Sequence, residues 1–240
     1  MDNYFVSSCK RVKDWICRQF GQKEKKTVHH KKFADGGEVI VWETGRAGEE
    51  AASYENLFLR KEIAGFRTNI RREQSCSIKS LTRDYLYKQL LSSGEYTFDH
   101  MLVIKDPYGE APLTALALFI LEEPACVRVT TKGNLKETDF VTELPKKKEH
   151  RVPILGMYAE KANDIVIEIL DDEGNCVKSH TFTIRTKRLP KSLRNVITVK
   201  KWTDKPAYSN IMINGGVKIH TCVFDIEGKI RYYLCLLYTS

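Results

Sequence analysis

Histidine and cysteine are the residue types in this 240-residue chain that could carry nucleophilic or metal-binding chemistry. Neutral histidine is a good nucleophile and a common metal ligand. His29 and His30 are adjacent, so their side chains diverge on a helix or strand and do not readily share one metal. By two-residue alternation His220 faces the same side as Cys222 and Phe224, where we favour a packed or rim position over a role in a site. We expect structural roles for the remaining three, which lie in or beside predicted strands: His100, His150 and His180.

The cysteines do not follow a metal-binding or disulfide pattern. Their number, seven, is odd and no CxxC pair occurs, which argues against a zinc ribbon and a disulfide framework. Buried free thiols in a reducing compartment are the favoured interpretation. Cys126 and Cys176 lie in neighbouring predicted strands, and a bridge between them stays open. The others are Cys9, Cys17, Cys76, Cys222 and Cys235.

The net charge of +8 is concentrated at the two ends of the chain. Residues 1–32 carry nine cations against three carboxylates, residues 101–190 thirteen against fourteen, and residues 191–240 eight against three. Basic ends could attract nucleic acid or anionic lipid, but we favour solvated basic ends. No recognised nucleic-acid motif is present. No run approaches the roughly 18 apolar residues of a membrane span, and no signal peptide opens the chain. We therefore expect a cytoplasmic location.

The first hundred residues show helical periodicity. Apolar stripes predict helices over about 3–20, 54–73 and 80–93, the last capped by Ser80 or Thr82 and followed by Gly94. Residues 21–50 are polar and lysine-rich, which predicts a linker with a short strand at 39–42. We assign residues 1–99 to a helical N-terminal extension and linker.

The pattern changes to short strands after Tyr96. Strands without intervening helices, separated by turn residues, favour a β-sandwich over residues 100–190. The segment 150–156 is predicted to lie at a sheet edge, because Pro153 cannot donate to a ladder. The remaining predicted strands are 101–104, 113–121, 126–131, 139–141, 165–170 and 176–184.

The last fifty residues look like the beginning of a further domain. A basic hinge at 187–191 precedes a hairpin, 217–224 and 229–234, which turns at Asp225 and Gly228. One hairpin is not a stable domain, so the chain looks interrupted. Residues 235–240, CLLYTS, can be encoded by a transposon end used in DNA library preparation, and we expect the natural reading frame to continue past Leu234.

Three segments together resemble bacterial aryl-sulfate sulfotransferases. Residues 107–116, PYGEAPLTAL, and 150–158, HRVPILGMY, followed by 183–190, TIRTKRLP, are similar in order and spacing to the family's N-terminal domain. Residues 223–234, VFDIEGKIRYYL, resemble the first blade hairpin of its propeller. The resemblance covers about residues 95–234. It implies a mainly β fold: an immunoglobulin-like sandwich over 100–190 and the start of a β-propeller over 191–240, after the helical extension.

The family resemblance implies transfer of a sulfuryl group from a phenolic sulfate ester to a phenol. A propeller histidine of the family attacks sulfur and carries the group as a sulfohistidine, without a cofactor. We assign no catalytic, cofactor-binding or metal residue here, because the matched residues have structural roles and the family's histidines come from later blades. We expect Arg231 to be a blade residue and this fragment to be inactive. The resemblance implies a phenolic sulfate donor and a phenol acceptor as the partners of the parent enzyme. We expect no nucleic-acid partner, and a homodimer stays open.

Two other functions stay open at this stage. A stand-alone binding or adhesion module could be built on the same sandwich. A different propeller enzyme, such as a quinone-dependent dehydrogenase, shares blade hairpins but lacks the 107–116 segment. A long downstream propeller containing several histidines and arginines would favour the transferase, and a natural stop near Leu234 would favour the binding module.

Overall fold

The computed structural model of the chain describes residues 28–33, 36–43, 45–47, 49–50, 72–200, 208–214 and 218–237. One long helix and two β-sheets make up this part, which is mainly β, as predicted. The elements are β1 (Val28–Lys32), β2 (Glu38–Trp42), α1 (Arg72–Ser92), β3 (His100–Lys105), β4 (Ala115–Thr131), β5 (Phe140–Ile154), β6 (Ala162–Leu170), β7 (Cys176–Arg185), β8 (Tyr208–Asn214), β9 (Lys218–Asp225) and β10 (Ile230–Leu237).

Strand β4 belongs to two limbs of the larger sheet. Its first half pairs with β3, its second half pairs with β6, and β5 follows its other side along the whole length. The ladder is irregular between Ile120 and Val127, around a Glu-Glu-Pro sequence that interrupts regular pairing. The first limb is β1-β2-β3-β4 and the second is β4-β6-β7. The chain thus forms a sandwich from one bent sheet.

A single core fills the space between the limbs. Alternate residues of each strand point inward, so that Val103 and Ala117 of the first limb and Val129 and Ile167 of the second are buried in one cluster. Ile165 and Ile167, in the strand predicted at 165–170, are completely buried in this core.

Part of the predicted linker at residues 21–50 is a β-strand, β1. Val28–Lys32 pairs with β2 in a hairpin, and β2 runs parallel to β3. The Phe33 ring stacks on His180 of β7 at 4.0 Å, and Lys31 donates to the Thr183 carbonyl oxygen. The short strand predicted at 39–42 is confirmed as β2, whereas the linker prediction is wrong at Val28–Lys32, because polar residues on an edge strand resemble a loop in sequence.

Helix α1 covers the outer face of the first limb. The predicted helix over 80–93 is confirmed, although the helix begins earlier, at Arg72, and Gly94 follows its end. Leu86, Tyr87 and Leu91 are buried against the sheet, in one cluster with Leu102, Ile104, Leu116 and Leu118. The predicted helix at 3–20 and nearly all of that at 54–73 lie outside the described residues, so the helical extension stays a prediction.

Strand boundaries differ from prediction where proline seemed to end a strand. The separate predicted strands 113–121 and 126–131 are both β4, and 139–141 and 150–156 are both β5. Within the described residues β5 pairs only with β4, so Pro145 and Pro153 lie on an edge strand, as expected for Pro153.

The C-terminal strands form a separate antiparallel sheet in the order β10-β9-β8. The predicted hairpin is confirmed as β9 and β10, whereas β8 was missed. Gly228 has φ +73° at the turn, where its amide donates to the Asp225 carbonyl at 2.9 Å. The domain limits 1–99, 100–190 and 191–240 stay predictions, although β1 and β2 pair into the sandwich sheet.

Candidate functional site

Arg231 is the largest completely buried side chain of the described residues. It lies in β10 where the register with β9 shifts between Ile230 and Tyr232. Such a β-bulge leaves one residue out of the ladder and re-aims its side chain. The Arg231 guanidinium therefore leaves its own sheet and enters the sandwich.

The sandwich receives this guanidinium with two backbone carbonyls and an aromatic ring. Arg231 Nε donates to the Gly156 oxygen at 2.6 Å, and Nη1 donates to the Thr138 oxygen at 2.9 Å. The guanidinium carbon lies 3.8 Å from the centre of the Tyr158 ring, a cation–π contact in a desolvated setting. Gly156 has φ +75°, and a Cβ there would lie 2.6 Å from Phe140 Cβ, so this carbonyl position requires glycine.

Asp225 supplies the compensating charge and is also completely buried. Its Oδ2 lies 3.3 Å from Arg231 Nη1 and accepts the Tyr158 hydroxyl at 3.0 Å. Its Oδ1 accepts the backbone amides of Glu227 and Lys229, both at 3.0 Å. The carboxylate thus caps the β9–β10 turn and joins it to the sandwich.

Tyr158 is fixed from both ends. Its amide donates to Asn163 Oδ1 at 2.7 Å and its carbonyl accepts Asn163 Nδ2 at 3.0 Å, while its hydroxyl accepts the Asn134 amide at 3.0 Å. Burial raises the pKa of Tyr158, so its hydroxyl stays protonated and donates to Asp225. We call Arg231, Asp225 and Tyr158 the buried junction.

A second Arg–Asp–Tyr group joins α1 to the sandwich. Tyr108 Oη donates to Asp84 Oδ1 at 2.6 Å, and Arg151 Nη2 donates to the same carboxylate and to Tyr108 Oη. Burial and the bond to Asp84 raise the pKa of Tyr108 to about 12. These three residues are the surface junction, since the side chains of Asp84 and Arg151 are 44% and 39% exposed. Tyr108 belongs to the Pro-Tyr-Gly segment at 107–109, so this segment contacts helix α1 through Asp84.

Each histidine side chain in the described part has a carboxylate or carbonyl partner, and two of them share one carboxylate. His30 and His100 flank Glu38, with Nδ1 atoms 3.5 and 3.0 Å from its carboxylate oxygens, and His29 lies 3.5 Å from Glu43. His180 is buried, 2.8 Å from Asp99. His150 is buried on the Phe119 ring with Nε2 2.8 Å from the Lys147 oxygen, and burial lowers its pKa. His220 lies in β9, and its side chain is outside the described residues.

Neither cysteine nor metal chemistry is supported in the described part of the chain. Cys126 and Cys176 both lie opposite Leu170, on its two sides, and both are free. Two strand spacings separate them by about 10 Å, beyond the roughly 7 Å limit for a disulfide. No group of three metal-ligating side chains occurs among the described residues.

The sequence predicts a blade residue at Arg231, whereas the structure shows that this side chain connects the two sheets. The available signal was a charged residue within an otherwise apolar strand, IRYYLCLL, six residues after a turn aspartate. Thr138 and Gly156 act through backbone carbonyls, which carry no sequence signal beyond the glycine itself.

The described part of the chain is mainly β, and its larger sheet bends into a sandwich. Residues 102–187 match the family model described as the arylsulfotransferase Ig-like domain, so this segment belongs to that domain family, as the sequence resemblance predicted. The match begins inside β3 and ends after β7, and it covers less than half of the chain. No curated protein matches the chain. Among the described residues, no helix is long and apolar enough to cross a membrane.

Proposed function

We propose that the chain is the N-terminal part of an aryl-sulfate sulfotransferase, in which the Ig-like domain holds the first sheet of a β-propeller. The parent transfers a sulfuryl group from a phenolic sulfate ester to a phenol. A propeller histidine attacks sulfur as the S–O bond to the first phenol breaks, and the sulfohistidine then passes the group to the acceptor phenol. The role of the described residues is to position this propeller.

The buried junction supports the proposal most directly. A guanidinium from β10 bonds two sandwich carbonyls, and the carboxylate that caps the β9–β10 turn bonds the Tyr158 hydroxyl. These contacts fix the orientation of the small sheet against a domain of the arylsulfotransferase family. Among the described histidines, His30 and His100 share the Glu38 carboxylate, whereas His150 and His180 are buried in the sandwich with other partners, which fits a scaffold better than a catalytic centre.

Sequencing the parental gene and assaying its product with a phenolic sulfate donor tests the function. We expect turnover with ping-pong kinetics from the longer protein and no turnover from the 240-residue chain, because the proposed centre needs an assembled propeller. A gene that stops near Leu234 would instead support the binding module. If the 240-residue chain shows turnover and His220→Ala abolishes that turnover, the active site would have to include His220 of β9.

A further inference from the structure

The segment from Arg185 to Lys200, which we call the basic linker, has an unusual charge composition. It carries six cations and no carboxylate. It comprises the end of β7, a short turn at Lys191–Leu193, and extended chain up to Lys200. The cations Arg185, Lys187, Arg188, Lys191 and Lys200 are exposed.

Few carboxylates lie near the cations of the basic linker in the described part of the fold. The Thr186 amide donates to the Lys161 oxygen at 3.2 Å, which brings the backbone of the exposed Lys161 beside the linker, and the Lys161 ammonium donates to Asn134 Oδ1 at 2.6 Å. Within the described residues the one linker cation with a carboxylate partner is Arg188, 3.3 Å from Glu160. A run of exposed cations with little counter-charge creates a positive surface potential, which favours an anionic partner.

The basic linker is attached to the folded body at several points. Leu193 is buried in the sandwich core. The Cγ2 atoms of Ile197 and Val199 lie 3.3 and 3.2 Å from the position that a Cβ on Gly228 would occupy, so the linker packs against the β9–β10 turn. The cations are therefore presented on an ordered surface between the sandwich and the small sheet.

The composition of this surface distinguishes between two anionic partners. Single-stranded nucleic acid is bound through aromatic stacking as well as charge, and residues 185–200 contain no aromatic side chain. An anionic bilayer attracts Lys and Arg without such stacking and also accepts apolar side chains at its interface. Val196, within the linker, is 45% exposed. We propose that the basic linker binds the surface of an anionic lipid bilayer, independently of the transferase activity.

Vesicle co-sedimentation of the 240-residue chain tests this surface. We expect binding to phosphatidylcholine vesicles that contain phosphatidylglycerol and none to phosphatidylcholine alone. Neutralising Arg185, Lys187 and Lys191 to Gln should weaken binding about a hundredfold, because each cation near the membrane contributes about a fivefold factor. Raising ionic strength from about 0.15 to about 0.5 M should release the unmodified chain.

The matched control neutralises Lys146, Lys147 and Lys148 of β5 to Gln, with the same change in net charge. These lysines are exposed, and Lys146 is paired with Asp172. The control should keep vesicle binding, and circular dichroism should show that both variants are folded. Equal loss in both variants, absence of vesicle binding, or binding of single-stranded RNA in preference to vesicles would overturn the proposal.

Discussion

The two junctions use the same three residue types and differ in their exposure to water. Arg231, Asp225 and Tyr158 join the small sheet to the sandwich, with the Arg231 and Asp225 side chains 1% and 0% exposed. Arg151, Asp84 and Tyr108 join α1 to the sandwich with both charges near 40% exposed. A buried charge depends on its partner far more than an exposed one, because water cannot replace the partner. The small sheet is therefore attached specifically, whereas α1 is held mainly by its apolar face.

The largest effect is expected for Arg231→Met. Removing the cation leaves the Asp225 carboxylate buried and uncompensated, which should lower the free energy of unfolding by about 3–5 kcal/mol. Urea denaturation followed by fluorescence measures this loss. Arg151→Met is the matched variant and should cost less than about 1 kcal/mol. Similar losses in both would show that burial does not distinguish the junctions.

Tyr158→Phe should have the next largest effect. The substitution removes a donor to Asp225 and an acceptor for the Asn134 amide, and leaving buried polar groups unsatisfied costs about 1–3 kcal/mol. Tyr108→Phe, its counterpart in the surface junction, should cost clearly less because solvent reaches Asp84. The comparison fails if Tyr108→Phe is the more destabilising change in the same urea assay.

A double-mutant cycle with Asp84→Asn and Arg151→Gln should give a small coupling, about 0.2–1 kcal/mol, which decreases as salt is added. The equivalent cycle with Asp225→Asn and Arg231→Gln should give a larger coupling that salt changes little, since buried pairs are poorly screened. Salt-independent coupling at the surface junction would contradict this assignment.

A shallow pH dependence should come from His150, which lies outside both junctions. Burial lowers its pKa in the folded chain below the ordinary value near 6.5. The unfolded chain then binds the proton more readily, so this contribution to stability is complete above about pH 6.5 and decreases as pH falls. Urea midpoints between about pH 7.5 and pH 5.5 should show the slope. His150→Phe should flatten it, and an unchanged slope would assign the effect elsewhere.

Local sequence patterns predicted individual helices and strands better than the length and pairing of the strands. The strand at 165–170, the helix over about 80–93 and the turn at Asp225 each depend on neighbours in sequence, and each is confirmed. The continuity of β4 and β5 through prolines was missed, because edge position and register are set by partner strands.

The candidate site was less accessible to sequence reasoning. Arg231 reaches the sandwich through a bulge, and its acceptors are carbonyls of residues more than seventy positions earlier. Side-chain identity does not specify such contacts. The family resemblance identified the Ig-like domain but implied nothing about this junction.

The parallel pairing of β2 with β3 has a consequence for synthesis on the ribosome. Residues Glu38–Trp42 are made well before their partners His100–Ile104, and the pairing needs the intervening chain to be complete. At roughly 5–20 residues per second, several seconds pass before the strand that helps to bury Val39, Val41 and Trp42 has been made. The nascent chain therefore passes through an interval in which the apolar side chains of β2 lack their partner strand and are open to wrong contacts.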